Sequence, residues 1–511
     1  MKYKMLTLKS TKKCCKNFKC RFFSNIKYEE NVLNFEKKKS KFEKNTKFRE
    51  ELYKYHYEQY IDNVNLRPDL YLKNAEENNI HDKRIKRNVP FVYSNEVKNL
   101  EELKTNPLTL VNVKNMNNES FGVATFNPYS LISARIINQN SLFSININFF
   151  IEKIKNALLW RNKIVKNETD NMSNSISHQI TPSANITIDT TSNDKNNNIA
   201  NDNNTNENIH NYPILNSSHC YRLINSEGDS IPGLIVDRFD DYISIQHLTL
   251  GCEMLACNIN DALIELLKPK GIIFRNDNKE RLNEKLEIYK KVIYGKVPDK
   301  VTLIENNCFF IIDLIDSPNT GWFFNRKDLR NLLCQYSYQK NVLDLFSYVG
   351  SFGIQCSKIG KAKKVVCVEK YKNFVQLAKK SANLNNINNI EFLCSDSLNF
   401  LENCNQLFDI IILDPPNLIP KSQFLKSGSR RYINLINLAQ NYVTSNGLLL
   451  IIFTTKLFSY QDYINIINKS FINVNKKVKI VGQGRASPDN PVNLSLYLFS
   501  DFYWFILQLT Y

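Results

Sequence analysis

Between Asn341 and Thr455 short apolar runs alternate with stretches of helical spacing, and this order leaves few folds open. The runs are "NVLDLF", "KVVCVEK", "IEFLCS", "FDIIILD" and "GLLLIIFTT", separated by stretches such as "KNFVQLAKKSANLN" and "YINLINLAQNYV". Runs that are apolar on both faces suit a parallel sheet covered by helices. The segment is expected to be a doubly wound α/β domain, with ligands bound beyond the carboxyl ends of its strands.

The residues at those ends are acidic. Asp344 closes the first run and Glu369 the second, Asp396 follows the third, and Asp414 follows the fourth. After Asp344 comes "DLFSYVGSFG", where Gly350 and Gly353 let backbone approach a ligand closely. Glu369 stands about 20 residues beyond that turn, where an acid accepts both hydroxyls of a ribose. One acid at a strand end is weak information, but four in series point to a nucleoside-containing cofactor across the sheet. A nicotinamide site would require GxGxxG to hold a pyrophosphate at a helix N-terminus. The loop here has no GxG and places the bulky Tyr348 inside it, so an oxidoreductase is disfavoured. A sulfonium ligand without phosphate fits better, with Asp344 facing its cationic end, and S-adenosyl-L-methionine is the expected cofactor. Asp414 is followed by Pro415 and Pro416, which stiffen the loop and hold the carboxylate near the methyl donor.

The rest of the chain is consistent with a nucleic-acid enzyme. Its 511 residues hold 67 basic and 50 acidic side chains, a formal charge of +17, and a polyanion is the natural partner. No apolar run is long enough to span a bilayer, so no membrane is expected. The 12 cysteines show no paired CxxC and no nearby histidine cluster; they read as reduced thiols, and no metal is expected. Residues 1–45 are basic and hydroxyl-rich, which reads as an organelle transit peptide (mitochondrion or plastid-like) or as a disordered tail on a cytoplasmic protein. Residues 82–146 read as a β-rich unit, 147–166 as helical, and 167–216 as an asparagine-rich segment too poor in apolar groups to order. Residues 217–319 form a middle α/β unit and 320–511 the cofactor-binding domain.

Five stretches make the sequence recognisable: "YRLINSEGDSIPGLIVDRF", "TGWFFNRKDLR", "VLDLFSYVGSFGI", "LDPPNL" and "ASPDNPV". In this order they resemble the bacterial methyltransferases that make 5-methylcytosine in large-subunit ribosomal RNA. The resemblance covers roughly Lys86 to the C-terminus, apart from the asparagine-rich segment. It implies a PUA-like RNA-binding domain, a middle α/β domain and a Rossmann-like class I methyltransferase domain. It also implies donor contacts from Phe346, Ser347, Tyr348 and Gly350, ribose binding by Glu369, adenine contact beside Asp396, and a target-base loop at Asp414, Pro415 and Pro416. RNA, foremost large-subunit rRNA, is the implied partner, and a homodimer is compatible with the family although no interface is legible. Thr320, Gly321 and Arg330 match a family segment in which Asn325, Arg326 and Lys327 depart from the usual Asp-Gln-Arg.

A second departure concerns chemistry. Family members carry a cysteine just after the fifth strand, because carbon 5 of cytosine becomes nucleophilic only once a thiolate has added to carbon 6. Here Thr454 and Thr455 occupy that place, and the nearest cysteines, Cys394 and Cys404, precede the fourth strand. Three readings stay open: transfer to nitrogen or oxygen, an RNA- or ribosome-binding protein that keeps the cofactor site without catalysis, and carbon-5 transfer by a remote cysteine. Arg430 and Arg431 lie close to the base loop and suit contacts with phosphates and bases.

Overall fold

The computed structural model describes residues 64–73, 80–105, 110–176, 212–472, 474–499 and 502–510. The basic segment 1–45 and most of the asparagine-rich segment lie outside the described residues.

The first unit is a five-stranded sheet of β1 (Asp69–Tyr71), β2 (Phe91–Tyr93), β3 (Leu110–Lys114), β4 (Ser120–Phe126) and β5 (Ile132–Asn138), in the order β1-β3-β4-β5-β2. Helices α1 (Ile80–Lys86) and α2 (Leu100–Thr105) lie in its connections, and Leu70, Val92, Val111, Val113, Ala124 and Ala134 form the core. The sheet starts at Asp69, earlier than the expected boundary at residue 82, because β1 pairs in parallel with β3.

Helix α3 (Ile147–Ile176) seals the middle unit: Phe149, Phe150, Ile151, Ile154 and Ala157 share one core with the sheet that follows. It runs ten residues into the segment expected to be without structure. Once the packed half has nucleated the helix, adding a residue requires only one more ordered pair of dihedrals, so poor composition is tolerated. The sheet comprises β6 (Cys220–Asn225), β7 (Leu234–Phe239), β8 (Tyr242–His247), β9 (Gly271–Asn276) and β10 (Tyr289–Gly295), in the order β10-β9-β8-β7-β6. Helices α4 (Leu250–Met254) and α5 (Ala256–Leu267) make the crossover between the parallel strands β8 and β9.

The hairpin of β11 (Lys300–Glu305) and β12 (Cys308–Asp313) forms its own two-stranded sheet. Its Val301, Leu303, Phe310 and Ile311 pack with Trp322, Tyr348, Ile354 and Phe374, so it belongs to the core of the last unit although it precedes residue 320.

The last unit has seven strands: β13 (Asn341–Leu345), β14 (Lys364–Glu369), β15 (Ile390–Cys394), β16 (Phe408–Leu413), β17 (Val443–Phe453), β18 (Lys477–Gly484) and β19 (Tyr503–Thr510). Their order is β15-β14-β13-β16-β17-β19-β18. The first five strands pair in parallel, whereas β19 is antiparallel to both neighbours, a feature the sequence reading did not anticipate. Helices α6 (Lys327–Tyr336), α7 (Ser351–Lys358), α8 (Lys372–Leu384), α9 (Ser397–Glu402), α10 (Leu425–Ala439) and α11 (Tyr460–Ser470) accompany these strands. The sheet separates two cores, one around Leu343, Leu413 and Phe453 and the other around Val342, Ile412 and Ile452. The strand order reverses between β13 and β16, and ligands of such sheets bind at that crevice.

The "ASPDNPV" stretch clasps the units together. Arg161 on α3 donates to Asp229 and to the Asp489 carbonyl, Trp160 donates to the Pro488 carbonyl at 2.9 Å, and Asp489 accepts the Arg222 N–H at 3.0 Å. Among the described residues no helix is long and apolar enough to cross a membrane.

Candidate active site

Asp344 and Asp414 stand on the two sides of the reversal point. Between β13 and α7 the backbone turns through left-handed conformations at Phe346, Tyr348 and Gly350, with φ of 61°, 53° and 73°. Bulky residues adopt such angles only where packing fixes them. Tyr348 is held in this way: its ring meets Phe374 at 4.8 Å and Phe323 at 5.6 Å, and its hydroxyl lies 2.7 Å from Ser317 Oγ and 3.0 Å from the Gly321 carbonyl. The phenol therefore fastens the loop to the segment that enters this domain. The Tyr348 N–H donates to Glu369 Oε2 at 2.9 Å, and Glu369 Oε1 accepts the Tyr371 N–H at 3.0 Å. Burial raises the pKa of Glu369, against the pull of these N–H groups.

Asp344 is 1% exposed. Its Oδ2 accepts the Gly353 N–H at 3.0 Å, whereas Oδ1 has no hydrogen-bond partner among the described residues, and neither does the buried Ser347 Oγ. Gly353 is required here because a Cβ would stand 2.3 Å from Cys367 Sγ. Burial above all, with some repulsion from Asp414 and Glu369, pushes the Asp344 carboxyl up to about 7. Two orphaned buried oxygens beside a left-handed loop fit a polar, cationic ligand. A donor with a positive charge binds the ionised carboxylate, so its affinity is expected to rise from about pH 6 to about pH 8, approaching tenfold per unit below 7. Calorimetry should show this slope flattened in Asp344→Asn. In the free protein the sign is opposite. Between 3.8 and about 7 the folded state keeps a proton that the unfolded chain has released, so stability falls as pH rises.

Asp396 is placed differently. It caps α9, accepting the Leu398 N–H at 3.0 Å, and Lys370 Nζ is 3.7 Å from its other oxygen. The adjoining Ser395 N–H donates to the Glu369 carbonyl at 3.0 Å, which brings the two strand ends together.

Across the reversal point Asp414 is gripped by Arg326, with Nε to Oδ2 at 2.7 Å and Nη2 to Oδ1 at 2.8 Å. The guanidinium lies over the ring of Phe323 at 4.6 Å and over that of Phe502 at 5.0 Å. Pro415 is buried, Pro416 and Asn417 are exposed, and Asn417 Oδ1 turns the loop by accepting the Ile419 N–H at 2.9 Å. Thr455 is buried, and its hydroxyl donates to the Ile419 carbonyl at 3.3 Å, tying the end of β17 to the same loop. The hydroxyls of Thr454 and Tyr432 are buried beside each other, and burial pushes the Tyr432 phenol up to about 12, against the pull of the Thr454 hydroxyl and backbone. Cys404 is the last cysteine of the chain, so no thiol follows β16 or β17.

Arg326 is the residue of this candidate site that the sequence reading missed. It was visible only as a departure from a family pattern, and its partner lies 88 positions away. Thr320 and Arg330 serve the architecture: Thr320 donates to Asp237 on β7, and Arg330 pairs with the buried Glu305 on β11. Arg430 and Arg431 are exposed on α10.

Parts of the sequence and the fold match known proteins. Residues 329–481 match the family described as Methyltransferase small domain, and residues 78–139 match the PUA-like domain family. A SAM-dependent methyltransferase structure from Streptococcus mutans superposes with a TM-score of 0.62 at 19% identity, covering 86% of this chain and 100% of that one. A protein solved in complex with SAH gives 0.64 at 18% identity, covering 86% and 99%. Ribosomal RNA large subunit methyltransferase I of Aliivibrio fischeri is 25% identical over 418 residues, 81% of this chain and 93% of the relative. The Vibrio vulnificus protein of that name is 31% identical over 281 residues, 53% of this chain and 70% of the relative. The chain therefore belongs to the family of ribosomal RNA large subunit methyltransferase I and is an S-adenosylmethionine-dependent methyltransferase.

Proposed function

We propose that the protein methylates a nucleotide of large-subunit ribosomal RNA at a nitrogen or oxygen atom rather than at carbon 5 of cytosine. The relatives' names supply the RNA. The observation that carries the choice of atom is the end of β17, where Thr454 and Thr455 stand and no cysteine follows. A threonine hydroxyl has no thiolate fraction to add to a pyrimidine ring. An exocyclic amine or a hydroxyl needs no covalent adduct, only orientation and an acceptor for its proton.

S-adenosylmethionine, when bound, supplies a methyl group on a sulfonium. Asp344 and Ser347 would hold its polar end and Glu369 its ribose. Asp414 gives one lone pair on each oxygen to Arg326 and keeps acceptor capacity for the N–H or O–H of the target. Pro415 and Pro416 limit how far this acceptor can drift. The two phenylalanine rings keep water away from the guanidinium and so strengthen its hold on the carboxylate.

The deciding experiment incubates the protein with methyl-labelled S-adenosylmethionine and ribosomal RNA and identifies the modified nucleoside. An N- or O-methyl product is expected, unchanged in Thr454→Cys. 5-Methylcytosine from the wild-type chain would refute the choice of atom, and donor binding without transfer to any RNA would refute catalysis.

A further inference from the structure

From Pro415 to Gln461 the chain contains no acidic residue, yet it carries Lys421, Lys426, Arg430, Arg431 and Lys456. Lys456 lies 3.7 Å from Glu280 of the middle unit. Lys421, Lys426, Arg430 and Arg431 are exposed, and no ion pair engages them among the described residues. They sit on α10 or just before it, and α10 supports the Asp414 loop directly: a Cβ on Gly428 would stand 2.3 Å from Ile419 Cγ1 and 2.6 Å from the Leu418 carbonyl. Phe424, 39% exposed, immediately precedes the helix.

This arrangement works against the helix itself. The first turn holds Lys426 and no acid, the reverse of what the helix dipole favours. Lys426 and Arg430 are four positions apart, where like charges repel. Local rules broken together on an exposed face mark a place where a partner compensates.

We infer that this rim binds an unpaired stretch of RNA leading into the Asp414 loop, with the cations on its phosphates and Phe424 stacked on a base beside the target. The inference rests on the RNA reading above and adds the surface and the strandedness. A duplex presents phosphates but keeps its base faces stacked inside, leaving Phe424 unused, whereas alternating cations and an exposed aromatic ring suit a single strand.

The test uses the full chain and fluorescence anisotropy with a labelled unstructured RNA oligonucleotide, the corresponding duplex, and vesicles containing phosphatidylserine. The wild type should prefer the single strand. Lys426→Glu/Arg430→Glu/Arg431→Glu should weaken that binding by about tenfold or more, and the slope of log Kd against log salt should fall by about 2, at roughly 0.7 per phosphate contact. Phe424→Ala should weaken it about tenfold with the slope unchanged. Unchanged calorimetric affinity for S-adenosylmethionine would show that each variant is folded. Wild-type affinity and slope in the triple variant would overturn this inference alone, as would preference for the duplex or for vesicles. Failure of the wild-type chain to bind any RNA would overturn the RNA reading with it.

Discussion

Asp414→Ala is expected to lower the single-turnover rate of methyl transfer by about 10²–10³-fold while donor affinity stays within about threefold. The asymmetry follows from position. Asp414 is held by Arg326, whereas the groups proposed to hold the donor, Asp344, Ser347 and Glu369, stand on the other side of the reversal point. An acceptor that acts on the target contributes mainly as the target's proton acquires positive charge, so its loss appears in the rate and not in donor binding. Arg326→Lys should fall between wild type and Asp414→Ala. Lysine keeps the charge but cannot grip both oxygens in one plane, so the carboxylate gains freedom. Rapid-quench rates with calorimetry on the same preparations separate the two effects. Transfer by Asp414→Ala within tenfold of wild type would remove this carboxylate from the reaction.

The second large effect concerns stability. Glu305 on β11 accepts hydrogen bonds from Arg330 at 2.6 and 2.9 Å, from Trp322 Nε1 at 2.8 Å and from Gln355 Nε2 at 3.0 Å. Glu305 and Arg330 are almost wholly buried, and Arg330 also lies over the Trp322 ring at 4.8 Å. Arg330→Ala leaves a buried carboxylate without its counter-charge and is expected to destabilise the catalytic domain by about 3–5 kcal/mol. Glu305→Gln combined with Arg330→Met should lose less than the single change, because no unpaired charge remains. Urea melts followed by tryptophan fluorescence would read both. Burial alone would raise the Glu305 pKa, but the charge and hydrogen bonds of Arg330, together with the Trp322 N–H and the Lys327 charge, outweigh it and hold the carboxyl below its ordinary 4.5. Stability from this pair is therefore present above about 4.5 and lost as pH falls through the lower folded value. A double variant weaker than Arg330→Ala would contradict this account.

The parts of the protein legible in its sequence are those whose information is local. Strands β13 to β17 are continuous apolar runs punctuated by acids and turns, so both their existence and their parallel order could be read. The acids at their ends could be located for the same reason, but not their orientation. Asp396 looks from sequence like the other strand-end acids, yet it spends one oxygen capping α9. Tyr348, too bulky for a pyrophosphate loop and implied as a donor contact, also has a role that sequence could not show: it anchors the loop in left-handed angles. Arg326 was illegible because its meaning depends on Asp414, Phe323 and Phe502, three positions brought together only by the folded sheet. The far half of α3 was misread because composition describes what a segment does alone, and this one continues a helix nucleated by its packed neighbours.

The placement of β19 has a consequence for synthesis. It fills the slot between β17 and β18 and leaves the ribosome after both. The strands that carry Asp344, Glu369 and Asp414 can pair earlier, but until β19 arrives the outer edge of β17 stays open and Arg326 lacks the Phe502 ring. A nascent chain halted in this interval would hold a nearly formed donor pocket beside an unpaired apolar strand edge, the kind of surface that recruits chaperones or seeds aggregation.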